Sequence, residues 1–275
     1  MRFTSIRKLT LVAGCLLPLL ACGAEPPENS GAHAPAVTYT PEQKAQFGEV
    51  VRDYLLNHPE VLIEAGQRLQ AQQQKKQQDE MTEAVVQNQA ALLNSPASPS
   101  YGPANAKVTV VEFFDYQCIY CAQLAPVLNK VIKANPDVRF VFKEWPIFAG
   151  RWKRSLTAAE TGLRVWHQKG AAAYLKYHNA LYATGDNEGR LTTEDIWKAA
   201  GSAGYRDPGK AGLAELRKAL EENSELAQQI GFRGTPAVVV MPSADVTAGR
   251  ITVIPGYPQG NVLQNAISRA AAPRN

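Results

Sequence analysis

Cys118 and Cys121, in the run Asp115-Tyr116-Gln117-Cys118-Ile119-Tyr120-Cys121, are the only cysteines after residue 22. Two thiols at this spacing could ligate a metal, staple the chain, or cycle between dithiol and disulfide. On a helix, an i, i+3 spacing sets both sulfurs on one face, within disulfide reach. Residues 107–114 read as a strand and 118–134 as a helix, so the pair falls at a strand-to-helix turn. Cys118 then stands at the helix start, where unpaired N–H groups and the macrodipole stabilise an anion. That position predicts a Cys118 thiolate with a pKa in the ~3.5–7.5 range. Cys121, one turn further in, is the resolving thiol. The first sulfur attacks a disulfide, a mixed disulfide forms, and the second sulfur releases it.

The other two chemistries fit less well. Structural zinc takes four donors, and the sequence has neither a second CxxC nor a close His pair. His167 and His178, eleven apart, read as surface or packing residues. No metal site and no cofactor is expected, although two thiolates suit Cu(I). A copper-binding or chaperone-like protein using the thiols as ligands is therefore the alternative to a redox enzyme. A stapled secreted fold would carry several pairs, and this single pair closes too short a loop to help.

Two further sites join the redox reading. Glu112 lies among Val110, Val111, Phe113 and Phe114. A carboxylate there is desolvated, its pKa rises, and it can accept a proton from Cys121. The competing reading places Glu112 at a sheet edge facing water. Thr235-Pro236 follows Gly234 and opens a strand, a place where proline withholds no ladder donor.

These residues must be positioned by an alternating set of elements. Strands are expected at 107–114, 138–146, 236–242 and 250–256, the last two as an antiparallel pair across a short loop. Helices are expected at 118–134 and 259–271, with a helical block over roughly 150–231. The pattern is an α/β fold with an inserted helical domain. The strand, the CxxC helix and the distant Gly-Thr-Pro resemble the thioredoxin superfamily, specifically its DsbA-like branch. Glu112 six residues before Cys118 and Pro126 five after Cys121 also match that superfamily. The resemblance covers about 105–271 and implies a thioredoxin-like fold with a helical insertion at about 147–231. It also implies that Thr235-Pro236 is cis and lies beside Cys118. Ile119 stands where the family usually has Pro or Gly, so a redox potential does not carry over. Thr before the proline, as in isomerase members, points towards disulfide shuffling.

Ahead of this domain, residues 1–21 have a basic start (Arg2, Arg7, Lys8) and a short apolar run, the layout of a signal peptide. Leu19-Leu20-Ala21-Cys22 resembles a bacterial lipobox, with Cys22 as the lipidated residue and Cys15 a weaker candidate. Removing 1–21 lowers the formal charge from +4 to +1, and the mixed charges that remain give no reason to expect nucleic acid. The expected location is the periplasm or cell envelope, with a possible lipid anchor. There the thiols would meet exported client proteins with cysteines and a membrane redox partner. Residues 22–40 read as a tether. Residues 41–94 read as a helical arm with a near-heptad apolar stripe, a break at His58-Pro59 and a polar hinge over 70–80. This arm resembles the oligomerising arm of ScsC-type envelope proteins, and a homo-oligomer (dimer or trimer) is expected, with the DsbA-like domain over 95–275.

Overall fold

The computed structural model describes residues 38–206 and 212–273. The expected signal peptide, the lipidation site Cys22 and nearly all of the tether lie outside the described residues. The chain divides into two units, one ending at Leu62 and the other beginning at Ile63.

In the first unit, Thr40 caps helix α1 (Pro41–Asn57). Its Oγ1 accepts from Gln43 N–H (3.2 Å), and Gln43 Oε1 accepts from Thr40 N–H (2.9 Å). This reciprocal capping box, with Pro41 at the first helical position, fixes where the helix starts. The helix stops before His58-Pro59, as the proline requires, and α2 (Glu60–Gln87) begins directly after it. No residue of α1 is buried, and Phe47, Val50, Val51, Tyr54, Leu56 and Leu62 are all exposed.

The second unit is built on a five-stranded sheet. Its strands are β1 (Ser100–Tyr101), β2 (Val108–Phe114), β3 (Arg139–Glu144), β4 (Ala237–Pro242) and β5 (Thr252–Pro255), in the order β1-β3-β2-β4-β5. Central β2 runs parallel to β3 and antiparallel to β4. β4 and β5 form the expected antiparallel pair, Val239 opposite Val253. Helix α4 (Ile119–Ala134) follows β2. Helices α5 (Arg154–Tyr182, broken at Gly170), α6 (Thr193–Ser202) and α7 (Leu213–Ile230) come between β3 and β4, and α8 (Val262–Ala271) closes the chain. Every residue of β2 is buried, as expected of a strand covered on both faces. Alternation sends Val108, Val110 and Phe114 into one cluster with α4, α5, α6 and α8. Val111 and Phe113 point into another with α7.

The helical stretch before the sheet departs from the expected arm. The polar run 70–80 is uninterrupted helix within α2 and not a break. Met81 and Val85 at the end of α2, with Leu92 and Leu93 of α3 (Gln89–Asn94), complete the second cluster against β2, β3, β4 and α7. Their apolar face is thus covered by the sheet, and only the stripe further upstream is left wet. Lys143 locks this segment in place. Fully buried, its Nζ donates to Ala91 O (2.9 Å) and Ser98 Oγ (2.7 Å). Strand β1, which pairs Ser100 with Val141, falls in a Pro/Ser/Gly stretch that carries no strand pattern.

Because residues 81–93 are core, a chain beginning at residue 95 should be markedly less stable than one beginning at Ile63. Leu92→Ala in the intact chain should cost about 2–5 kcal/mol, read by denaturant unfolding.

Candidate active site

The turn that carries the thiols is set by Asp115, the residue after β2. Its backbone carbonyl accepts from Cys118 N–H (3.0 Å) and its Oδ1 from Gln117 N–H (2.8 Å). Its Oδ2 accepts from Phe148 N–H (2.9 Å) and Ser155 Oγ (2.7 Å), tying the turn to the segment that leads into α5. Cys118 is the N-cap of α4 with extended backbone, and Cys121 lies one turn inside. Ala122 N–H closes the first helical turn on Cys118 O (3.0 Å). Both cysteines are free thiols and both are buried, Cys121 completely. Ile119 and Tyr120 between them are exposed and form the outward surface of the motif.

From the far end of the sequence, the loop before β4 meets the same sulfur. The Thr235–Pro236 peptide is cis, and Cys118 Sγ donates to Thr235 O at 3.2 Å. Pro236 sits immediately before the strand, so its missing N–H breaks no ladder bond.

The thiols differ in their readiness to ionise. The Cys118 pKa is lowered to about 6, first by the hydrogen bond from the Cys121 thiol. Burial opposes this, while the Thr235 side chain and the N–H groups of Cys121 and Tyr120 add to it. The neighbouring thiol therefore contributes most, and the helix-start N–H groups, expected to dominate, contribute least. Burial pushes the Cys121 thiol well up, reinforced by its hydrogen bond to Cys118 and by the Cys118 charge.

Glu112 stands on the α4 side of β2, opposite Phe142 of β3 and Val238 of β4. It is in the middle of the sheet, 1% exposed, so the edge reading fails. Neither carboxyl oxygen has a hydrogen-bond partner among the described residues. Burial, and then the Cys118 charge, raise its pKa to about 8. Glu112, Cys118, Cys121, Thr235 and Pro236 are therefore brought to one site.

Sequence reasoning passed over a second buried carboxyl behind this one. Glu144 Oε1 accepts from Tyr116 OH (3.0 Å) and Tyr174 OH (2.9 Å), and burial holds its pKa well above the usual range. Gly162 makes room for it, since a Cβ there would lie 2.5 Å from Glu144 Oε1. The signal was present in Phe142-Lys143-Glu144-Trp145, where two charged residues interrupt an apolar strand. His178 is buried among Phe114, Tyr182 and Phe142, with ring centroids 5.0, 4.9 and 5.2 Å away. Burial lowers its pKa to about 4, which makes it a neutral packing residue; His167 is exposed. Among the described residues no group of three or more His, Cys, Asp or Glu is placed to hold a metal.

Residues 94–242 match the family model described as Thioredoxin, and residues 43–76 match that of the copper resistance protein ScsC N-terminal domain. The crystal structure of BcfH from Salmonella enterica Typhimurium is 46% identical, with a TM-score of 0.73 over 83% of this chain and 96% of that one. Proteus mirabilis ScsC in a compact conformation is 30% identical, with a TM-score of 0.55 over 78% of this chain and 100% of that one. Disulfide bond formation protein D of Bacillus subtilis strain 168 is 28% identical over 159 residues, 52% of this chain and 67% of its own length. The Na(+)/H(+) antiporter NhaA 1 of Salinispora arenicola is 37% identical over 142 residues, half of this chain but only 21% of the antiporter. Among the described residues no helix is long and apolar enough to cross a membrane.

Two pH measurements check these electrostatics. Alkylation of the reduced protein should modify Cys118 before Cys121, with a midpoint near pH 6. Glu112→Gln should raise the melting temperature of the reduced protein at neutral and alkaline pH. The folded carboxyl keeps its proton up to about pH 8, whereas the unfolded one gives it up near its ordinary value of 4.5. The parent therefore loses stability as pH rises through that window, and the variant's advantage grows across it.

Proposed function

We propose, for a chain that belongs to the thioredoxin family, the function of a thiol:disulfide oxidoreductase that forms or shuffles disulfides in exported proteins. The observation that carries this reading is the pairing of an easily ionised Cys118 at the α4 start with a buried, protonated Cys121 behind it. In the shuffling direction, the Cys118 thiolate attacks a client disulfide. The Cys118–client S–S bond forms, and the client's second sulfur leaves as a thiolate and takes a proton from solvent. Bonding removes the negative charge from Cys118, and that charge is the second cause of the raised Glu112 pKa. The Glu112 carboxyl then loses its proton more readily and becomes the base for Cys121. Cys121 gives its proton to Glu112, attacks Cys118 Sγ and expels the client thiolate, which leaves the client reduced by two electrons and Cys118–Cys121 oxidised. If the client's own thiolate attacks the mixed disulfide first, Cys118 is returned reduced and the client is isomerised. Oxidation of a client runs both steps in reverse. One client thiolate opens the Cys118–Cys121 bond, and Cys121 leaves and takes a proton. The client's second thiolate then attacks the mixed disulfide and expels the Cys118 thiolate.

The preference for shuffling rests on the arm. Helix α1, with no buried residue and five exposed large apolar side chains (Phe47, Val50, Val51, Tyr54 and Leu56), suits a homo-oligomer, a dimer or trimer. Several active sites joined in one assembly give a misfolded client repeated encounters at high effective concentration. The segment matching the copper-resistance family contains one His and neither Cys nor Met, so it adds no soft ligand to the copper alternative. The signal layout and the periplasmic thioredoxin-like relative from Salmonella enterica support an envelope location, with Cys22 as the lipid anchor and a membrane protein to reset the redox state.

Cys118→Ser should abolish both insulin reduction and refolding of a scrambled disulfide substrate. A wild-type protein inactive in both assays that binds Cu(I) through its two thiols would move the reading to the alternative. Light scattering should find the mature protein oligomeric, and a chain beginning at Ile63 monomeric. That shortened chain should still reduce a small disulfide while refolding the scrambled substrate much more slowly.

A further inference from the structure

Gln117, directly before Cys118, is fully buried and has no part in the exchange described above. Its backbone carbonyl accepts from Glu188 N–H at 3.0 Å, and its Oε1 accepts from Gly189 N–H at 2.7 Å. Two successive N–H groups of the turn joining α5 to α6 thus close on both acceptors of one residue. On the other side, Gln117 N–H is held by Asp115 Oδ1.

The turn is shaped for this grip. Glu188, a non-glycine residue, sits at φ 50°, and Gly189 at φ 94°. A left-handed glutamate is uncommon and persists only where its surroundings over-determine it. At Gly189 a Cβ would stand 2.7 Å from Trp152 Nε1, so the indole closes over the turn and only glycine fits beneath it. The Arg190 guanidinium ties the turn together, donating to Gly185 O (3.2 Å) and Asn187 Oδ1 (3.1 Å).

We propose that Gln117 is a positioning residue for Cys118, fixed by the 185–190 turn of the inserted helices so that the sulfur stays at the start of α4. Cys118 is the extended N-cap of α4, its N–H held by Asp115 O at 3.0 Å, and that backbone conformation places its sulfur at the start of the helix. Gln117 is anchored at its N–H, its carbonyl and its side chain, so the peptide entering Cys118 has one orientation. The helical insertion, through this turn, sets the reactivity of a thiol that belongs to the sheet domain. The inference rests on the reading of Cys118 as the nucleophile.

Gln117→Met keeps the side-chain length and removes the acceptor. The Gln117 Nε2, buried without a partner among the described residues, is lost with it at little cost in stability. Gly189→Ala loosens the same grip from the other side by pushing against Trp152. The measurement is the pH dependence of Cys118 alkylation in the reduced, full-length protein, with the melting temperature alongside. Both variants should move the midpoint upwards, slowing alkylation at about pH 5 by roughly threefold to tenfold while the rate above about pH 9 is unchanged. A parental midpoint in Gln117→Met with a lowered melting temperature would overturn the proposal and leave Gln117 as packing alone. If Gln117→Met does not fold, Gly189→Ala decides by the same midpoint. Failure of the underlying reading looks different: Cys121 would then be alkylated first in the parent protein.

Discussion

Only one negative charge is accommodated between β2 and the start of α4, and it falls on Cys118. Glu112, Cys121 and Glu144 are all buried on the same side of the sheet, and burial raises the pKa of each. Cys118 alone gains more from hydrogen bonds at the helix start than it loses by desolvation. The rest of the site follows from this competition. An ionised Cys118 adds to the burial that already keeps Glu112 and Cys121 protonated. In the proposed exchange the nucleophile and the base take turns.

The same constraint explains the crowding around the site. A carboxyl with no partner, as Glu112 is, remains in a central strand only if its protonated form dominates or its function requires it. Glu144 resolves the same problem differently, by gathering two tyrosine hydroxyls on one oxygen beside a glycine that leaves it space. Asp115, also buried, spends its oxygens on the turn, on Phe148 N–H and on Ser155. Three buried carboxyls close to one strand pair thus have three distinct settings: Glu112 without a partner among the described residues, Glu144 on two tyrosine hydroxyls, and Asp115 on the turn.

The thiol pair and Glu112 were legible because local pattern determines them, whereas the place of the Thr235-Pro236 loop came from the family resemblance. A polar residue inside an apolar run is buried with it, and a CxxC at a strand-to-helix turn has one obvious polarity. The capping box at Thr40 and the break at Pro59 were legible for the same reason. What escaped depends on partners remote in sequence. Met81, Val85, Leu92 and Leu93 read as a continuation of the arm stripe, yet their cover comes from strands 15 to 170 residues downstream. The polar run 70–80 looked like a hinge because it lacks an apolar face, but its Gln and Lys residues are good helix formers and carry α2 straight through. Glu144 and Gln117 are single polar letters whose meaning lies in Tyr174 and in the Glu188-Gly189 turn.

The order in which the chain is made has a bearing on the thiols. Central β2 cannot be flanked on both edges until β4 exists, and β4 begins at Ala237, more than a hundred residues after Cys121. The face filled by Met81 and Val85 also waits for Ile230, Ile251 and Val253. Such long-range closure is slow, because loop entropy is spent before the distant contacts form. Until those strands form, Cys118 and Cys121 lack their cover, and Thr235 is not yet beside Cys118. A thiol made reactive by the finished fold is thus exposed throughout assembly, and is shielded only once the last two strands arrive.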